Sequence, residues 1–103
     1  MPHHLSLYQT AADFPVELQT VGAALAAGIT IEATCPRCWG ARAVDLARII
    51  SLHGPGYSLI DRQTFCTFRP GCDGRVRFRY IGEYGMKTME SEQGRAWRAS
   101  RDR

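Results

Sequence analysis

Four cysteines in two pairs set the tightest limit on what this chain can fold into. Cys35-Pro-Arg-Cys38 leaves two residues between its thiols, whereas five residues separate Cys66 from Cys72. A two-residue gap lets one tight turn aim both sulfurs at a single ion, and zinc takes four soft ligands in a tetrahedron with thiolates at about 2.3 Å. The 27 residues between Cys38 and Cys66 leave room for a helix and a returning strand. Pro70 and Gly71 before Cys72, and Gly74 after it, supply the bend that the wider second pair needs. The pattern predicts one structural Zn2+ ion held by Cys35, Cys38, Cys66 and Cys72. With only 103 residues, the chain buries a modest core and gains from such a metal cross-link.

Other uses of the cysteines stay open at this level. His53 is the one histidine between the two pairs and reads as a packed side chain on the buried face of a short helix. A thioredoxin-like redox pair at Cys35 and Cys38 would need a helix N-terminus to lower the first thiol's pKa. Trp39-Gly40-Ala41 starts no well-capped helix, and no alternation of strands and helices surrounds it. An iron–sulfur site and plain reduced thiols are the remaining rivals.

Charge is unevenly placed. Residues 1–61 carry three basic and five acidic side chains, and residues 62–103 carry ten and five, so the second part is net +5. Twelve of the thirteen basic residues are arginine, whose fork suits phosphates and carboxylates but also ordinary surface ion pairs. The most apolar stretch, Val21 to Ile31, is too short to span a bilayer. It also lacks the basic flank of an export signal, since the first arginine is Arg37. A reducing, cytoplasmic setting with no membrane association follows as the expectation, and there cysteines favour metal over disulfides.

Along the chain, residues 1–12 read as an N-terminal arm, loose or an edge strand, and the adjacent His3 and His4 in it as solvated. Residues 13–84 read as the folded domain, and residues 85–103 as a tail that is a weak helix or disordered. From Asp13, Leu18, Val21 and Leu25 recur at near-helical spacing. Gly22 splits the segment into two short helices, the second capped by Thr20, and Gly28 stops it. Ile29 to Thr34 alternates as a strand leading to Cys35. Asp45 caps a helix from Leu46 to His53 with Leu46, Ala47, Ile50 and His53 on one face, ended by Gly54 and Pro55. Ala41 to Val44 is too short to assign, Pro55 to Tyr57 is a turn, Ser58 to Asp61 resembles a one-turn capping box, and Thr64 to Phe68 makes a strand. Arg75 to Ile81 alternates strictly, with Arg75, Arg77 and Arg79 on one side and Val76, Phe78 and Tyr80 on the other. That is the pattern of a half-buried antiparallel strand. The fold class expected is a small α+β, zinc-ribbon-like domain with a short antiparallel sheet, two or three short helices and one four-cysteine zinc site.

The layout from Glu17 to Tyr80 resembles the small four-cysteine zinc-ribbon proteins of unassigned function that are common in alphaproteobacteria. The motifs that carry the likeness are T-C-P-R-C, A-V-D-L-A-R-I-I-S-L-H-G and a second cysteine pair on an arginine-rich strand. The resemblance implies metal-binding roles for the four cysteines and leaves the activity open. Trp39, where many knuckles carry glycine, and the widened second pair depart from the pattern.

Four thiolates close a zinc site and leave no position for water. No catalytic triad, paired carboxylates or phosphate-cradling loop stands out, so the expectation is not an enzyme, with no small-molecule substrate inferred. Two roles remain. One is nucleic-acid contact through Arg75, Arg77 and Arg79, extended by Arg69 or Arg62, with Tyr84 or Trp97 to stack on bases. The other is a protein-interaction adapter or homodimer using the alanine-rich first helix and the Met86, Met89 and Trp97 of the tail.

Overall fold

The computed structural model describes residues 8–82 and 85–101; His3, His4 and Tyr84 lie outside them. After a 3-10 turn at Ala11–Asp13 come two short helices, α1 (Val16–Gln19) and α2 (Val21–Ala26). The break between them falls at Thr20, which caps α2, its Oγ1 accepting from the Ala23 amide at 3.1 Å. Gly22 serves a different purpose from the expected break, since it lets another segment pass close by. Its amide donates to the Pro55 carbonyl at 2.9 Å, and a Cβ on it would meet Pro55 at 2.8 Å. Gly28, at φ +71, ends the segment.

Strand β1 (Ile31–Thr34) then leads into the first cysteine pair, and β2 (Ala41–Ala43) returns antiparallel beside it. Helix α3 covers Leu46–His53, as its sequence signals predict. Asp45 Oδ1 accepts from the Arg48 amide at 3.0 Å, and Gly54, at φ +89, donates to Ile50. The buried face differs from expectation. It is Leu46 with half-buried Ile49 and Ile50, while Ala47 and His53 are exposed. His53 stacks on Tyr57 with ring centroids 4.3 Å apart.

Strand β3 is short, Thr64–Phe65, and β4 is long, Arg75–Gly82. β4 is the axis of an all-antiparallel sheet. Residues 77–80 pair with β1, while β3 and the strand β5 (Gly85–Thr88) share its other edge. The segment after Gly85, expected as a weak helix or a disordered tail, thus adds a strand to the sheet before forming helix α4 (Glu92–Arg101). β5 runs back beside β4, the strand just before it, with Gly82 opposite Gly85, but the four residues Gly85-Met86-Lys87-Thr88 are too few and too mixed to mark a strand in the sequence.

The inner face of the sheet carries Ile31, Val76 and Phe78 and packs on Phe14, Leu18, Val21, Ala24, Leu46, Leu59, Ile60 and Met89. Burying such side chains stabilises by roughly 1.5–3 kcal/mol each. Alternation then places Glu32, Thr34, Arg77, Arg79 and Thr88 on the outer face.

Helix α4 is anchored at its start. Ser91 is fully buried and caps it, its Oγ accepting from the Gly94 amide at 3.0 Å. Asp61, in left-handed backbone at φ +59, receives the Ser91 amide at 2.7 Å and the Ser91 hydroxyl at 2.6 Å. Gly94 looks in the sequence like a helix weakness, yet a Cβ there would collide with the Asp61 carboxylate. The Glu92 and Gln93 amides donate to the Tyr8 and Gln9 carbonyls, and Glu90 pairs with Arg98 in a nearly buried ion pair. Asp61→Ala would orphan the buried Ser91 amide. It is expected to cost about 2 kcal/mol and to lower Tm by roughly 10 °C; an unchanged melt would show that α4 docks without this cap.

Candidate metal centre

Both cysteine pairs sit where strands end. Cys35 follows β1 directly and Cys66 follows β3 directly, while Cys38 and Cys72 lie in the turns that lead to β2 and β4. In the first turn the Cys35 amide donates to the Gly40 carbonyl at 2.9 Å, and the Trp39 amide to the Cys35 carbonyl at 2.8 Å. In the second the Cys66 amide donates to the Gly74 carbonyl at 3.0 Å. The wide gap closes through a turn in which the Cys72 amide reaches the Arg69 carbonyl at 3.1 Å. Gly71, at φ +80, takes the left-handed position in that turn. Because β4 pairs with both β1 and β3, the two turns meet at one end of the sheet.

The four sulfurs lie within 4.8 Å of one another. Cys35 Sγ is 3.8 Å from Cys72 Sγ, and Cys38 Sγ is 3.7 Å from Cys66 Sγ. A tetrahedron with zinc–sulfur bonds of about 2.3 Å has sulfur–sulfur edges of about 3.8 Å. A disulfide needs about 2.05 Å, and all four cysteines are free. The donor set and its dimensions therefore fit a tetrathiolate zinc ion. Cys35 and Cys66 are buried, and Cys38 and Cys72 are half-buried, so the site is closed from most of the solvent.

Backbone amides orient the sulfurs. The Phe68 amide donates to Cys66 Sγ and the Gly74 amide to Cys72 Sγ, each at 3.4 Å. The Cys38 amide, opposed by burial and helped by the Arg37 amide and the sulfurs of Cys66 and Cys72, holds the Cys35 thiol down to about 7. At Cys72 the Gly74 amide also favours the thiolate. Burial and the sulfurs of Cys66, Cys35 and Cys38 outweigh it and push that thiol up to about 12. Crowded thiols cannot all ionise without a cation among them, and a bound dication removes that obstacle. Metal binding therefore releases protons, and its apparent affinity falls as pH drops.

Close packing surrounds the centre. A Cβ on Gly74 would stand 2.7 Å from both Cys35 Sγ and the Arg37 side chain, and one on Gly40 would stand 2.6 Å from the Phe68 ring. Arg37 and Asp73 join the two turns by an ion pair at 2.8 Å, but both side chains are well exposed, so the pair contributes little. His53 is outside the cluster: among the described residues, the metal-binding group contains only the four cysteines.

Arg75, Arg77 and Arg79 do share the outer side of β4, and each already has a neighbour. Arg79 donates twice to Glu32 Oε1, at 2.9 and 2.7 Å, across the β1–β4 pair. Arg75 lies over the Phe65 ring at 4.8 Å from its centroid, also across a strand pair. With the Gln63 amide oriented to accept, its oxygen receives Arg77 Nε at 3.2 Å and Arg98 Nε at 2.9 Å. The row is thus less a free cationic stripe than its spacing suggests. Arg62, offered as an extension, instead covers the Tyr57 ring at 4.1 Å. One residue beside the metal centre stands out in the sequence as a departure from the knuckle pattern but has no role assigned to it there. Trp39 is 84% exposed and holds left-handed backbone at φ +63. That conformation costs a side-chain-bearing residue on the order of 1 kcal/mol relative to glycine. The signal was present, in the tryptophan at a position where knuckles often carry glycine.

No family model matches the chain, and no curated protein or solved structure is significantly similar to it. The four-cysteine cluster and the small antiparallel sheet with short helices around it are those of a small, zinc-ribbon-like α+β fold. Among the described residues, no helix is long and apolar enough to cross a membrane.

Proposed function

We propose that the chain is a non-enzymatic module with one structural zinc ion at Cys35, Cys38, Cys66 and Cys72, and that it contacts nucleic acid through the outer face of its sheet. The observation that carries the zinc assignment is the tetrahedral edge length between the sulfurs, 3.7 and 3.8 Å in the two closest pairs. Four thiolates leave the metal no open position for substrate, which favours a structural over a catalytic ion. Free thiols at metal-binding spacing also suit a reducing compartment such as the cytoplasm.

The nucleic-acid part rests on Arg75, Arg77 and Arg79 on one strand face, in a chain of formal charge +3. A zinc tetrathiolate is a net dianion, so a polyanion must be held by these arginines and not by the metal. The adapter or homodimer alternative draws on the first helix and the tail. Val21, Ala24 and Met89 of those segments are buried inside the fold, whereas Leu25, Met86 and Trp97 stay exposed.

The test is binding of labelled DNA and RNA oligonucleotides by the zinc-loaded protein over a range of salt. Arg75→Gln with Arg77→Gln leaves the Glu32–Arg79 pair in place. It is expected to keep the fold and zinc content while weakening binding. It should also flatten the slope of log affinity against log salt by about one to two units. A wild-type slope in this variant, or no binding near physiological salt, would reject nucleic-acid contact and turn attention to a protein partner.

A further inference from the structure

A groove of about 400 Å³ lies along the outer face of the sheet, bordered by Thr34, Arg77, Arg79, Met86 and Thr88, with Trp39 at the metal-centre end. Two of its properties suit a ligand. Trp39 keeps a large apolar ring in water from a backbone conformation that glycine adopts without strain. A protein gains no stability from that combination. The second property is charge. The groove's Glu90 is neutralised by Arg98 and its Arg79 by Glu32. Arg77 faces the neutral Gln63 amide, and among the described residues no carboxylate pairs with it.

We propose that this groove binds single-stranded nucleic acid, with the Trp39 ring stacked on one base and Arg77 holding an adjacent phosphate. The proposal rests on the nucleic-acid reading above and assigns its site. An exposed indole offers a face to any unstacked base, whereas bases in a duplex are already stacked on their neighbours. Arginine provides a planar fork for the phosphate that follows the stacked base. Thr34, directly across the strand pair from Arg77, adds a hydroxyl able to donate to a phosphate or sugar oxygen. Arg79 stays paired with Glu32 and shapes the floor. Recognition of this kind tolerates many sequences, because every base has a stackable face.

Trp39→Gly separates the proposal from a structural role. Glycine relieves the backbone at that position, so the variant is expected to hold zinc as the wild type does and to melt at the same temperature or higher. Its affinity for a labelled oligothymidylate of about twelve nucleotides should fall roughly tenfold. Trp39→Phe should keep most of the affinity. In a Trp97→Phe background, the remaining Trp39 fluorescence should be quenched on titration with the same oligonucleotide. Wild-type affinity for the strand in Trp39→Gly, with the dependence on Arg75 and Arg77 intact, would overturn the stacking site and leave the nucleic-acid reading standing. Failure of the wild type to bind any nucleic acid would overturn both. A duplex bound as tightly as the single strand would also overturn the site. So would a polyglutamate of similar length that binds with the same dependence on Trp39, since it would point to an acidic protein partner.

Discussion

Stripping the metal from the purified protein is expected to abolish its cooperative thermal transition. Structural zinc in small domains contributes an apparent ~10–16 kcal/mol, as large as the whole stability of a typical domain, about 5–15 kcal/mol. Here the sulfurs are part of the core: Cys35 and Cys66 belong to the same buried cluster as Ile31, Val76 and Phe78. Without the ion, the turns that carry them are left with a few backbone bonds, among them those at Gly40 and Gly74, and the exposed Arg37–Asp73 pair. Each single cysteine-to-serine change should act in the same direction, with Cys72→Ser as damaging as Cys35→Ser, because a tetrahedral site fails with any one ligand. Circular dichroism and calorimetry before and after chelation, with recovery on adding zinc, check this. His53→Gln, outside the cluster, should leave zinc content and melting nearly unchanged.

Gly74→Ala is the second large effect. The added methyl would stand 2.7 Å from Cys35 Sγ and from Arg37 Cβ, and 3.4 Å from Cys72 Sγ. The backbone cannot move aside, because the Gly74 amide donates to Cys72 Sγ and its carbonyl receives the Cys66 amide. Overpacking of this kind costs about 1–3 kcal/mol in an ordinary core. Here it falls on two ligands at once, so weakened zinc retention in a chelator competition should accompany the loss of stability. Gly56→Ala is the control, as a Cβ at Gly56 meets nothing within 4 Å and the change should be close to neutral. Equal behaviour of the two variants would mean that the second turn relaxes more freely than its hydrogen bonds allow.

The parts of the molecule legible in the sequence are those whose signals are local. Asp45 and Gly54 bound α3 at the residues where capping chemistry places them. The alternation of Arg75 to Ile81 separates buried Val76 and Phe78 from the arginines on the other side. The cysteine spacing, with Pro and Gly in the second turn, marks the four sulfurs that cluster. What escaped either has too short a local signal or depends on contacts between distant residues. Strand β5 pairs antiparallel with β4 just before it, yet nothing in the four residues Gly85-Met86-Lys87-Thr88 announces a strand. Helix α4 has a polar composition and an internal Gly94, and its cap Ser91 is held by Asp61, thirty residues earlier. His53 lies on the helix face that periodicity marks as buried, but α3 is short and its last turn is left exposed. The arginine row was legible as a face. Its pairing with Glu32, Phe65 and Gln63 was not, since cross-strand partners are fixed by register.

The central claim is one tetrathiolate zinc ion per chain, and native mass spectrometry of protein purified without chelator tests it most directly. The account predicts a mass higher by one zinc ion less the protons displaced from the thiols, in the folded charge states, with that increment absent from Cys35→Ser and Cys72→Ser alike. Replacing zinc by cobalt should give the intense visible bands of a tetrahedral all-sulfur site. A metal-free wild-type chain that is folded and melts as cooperatively as one supplied with zinc would contradict it.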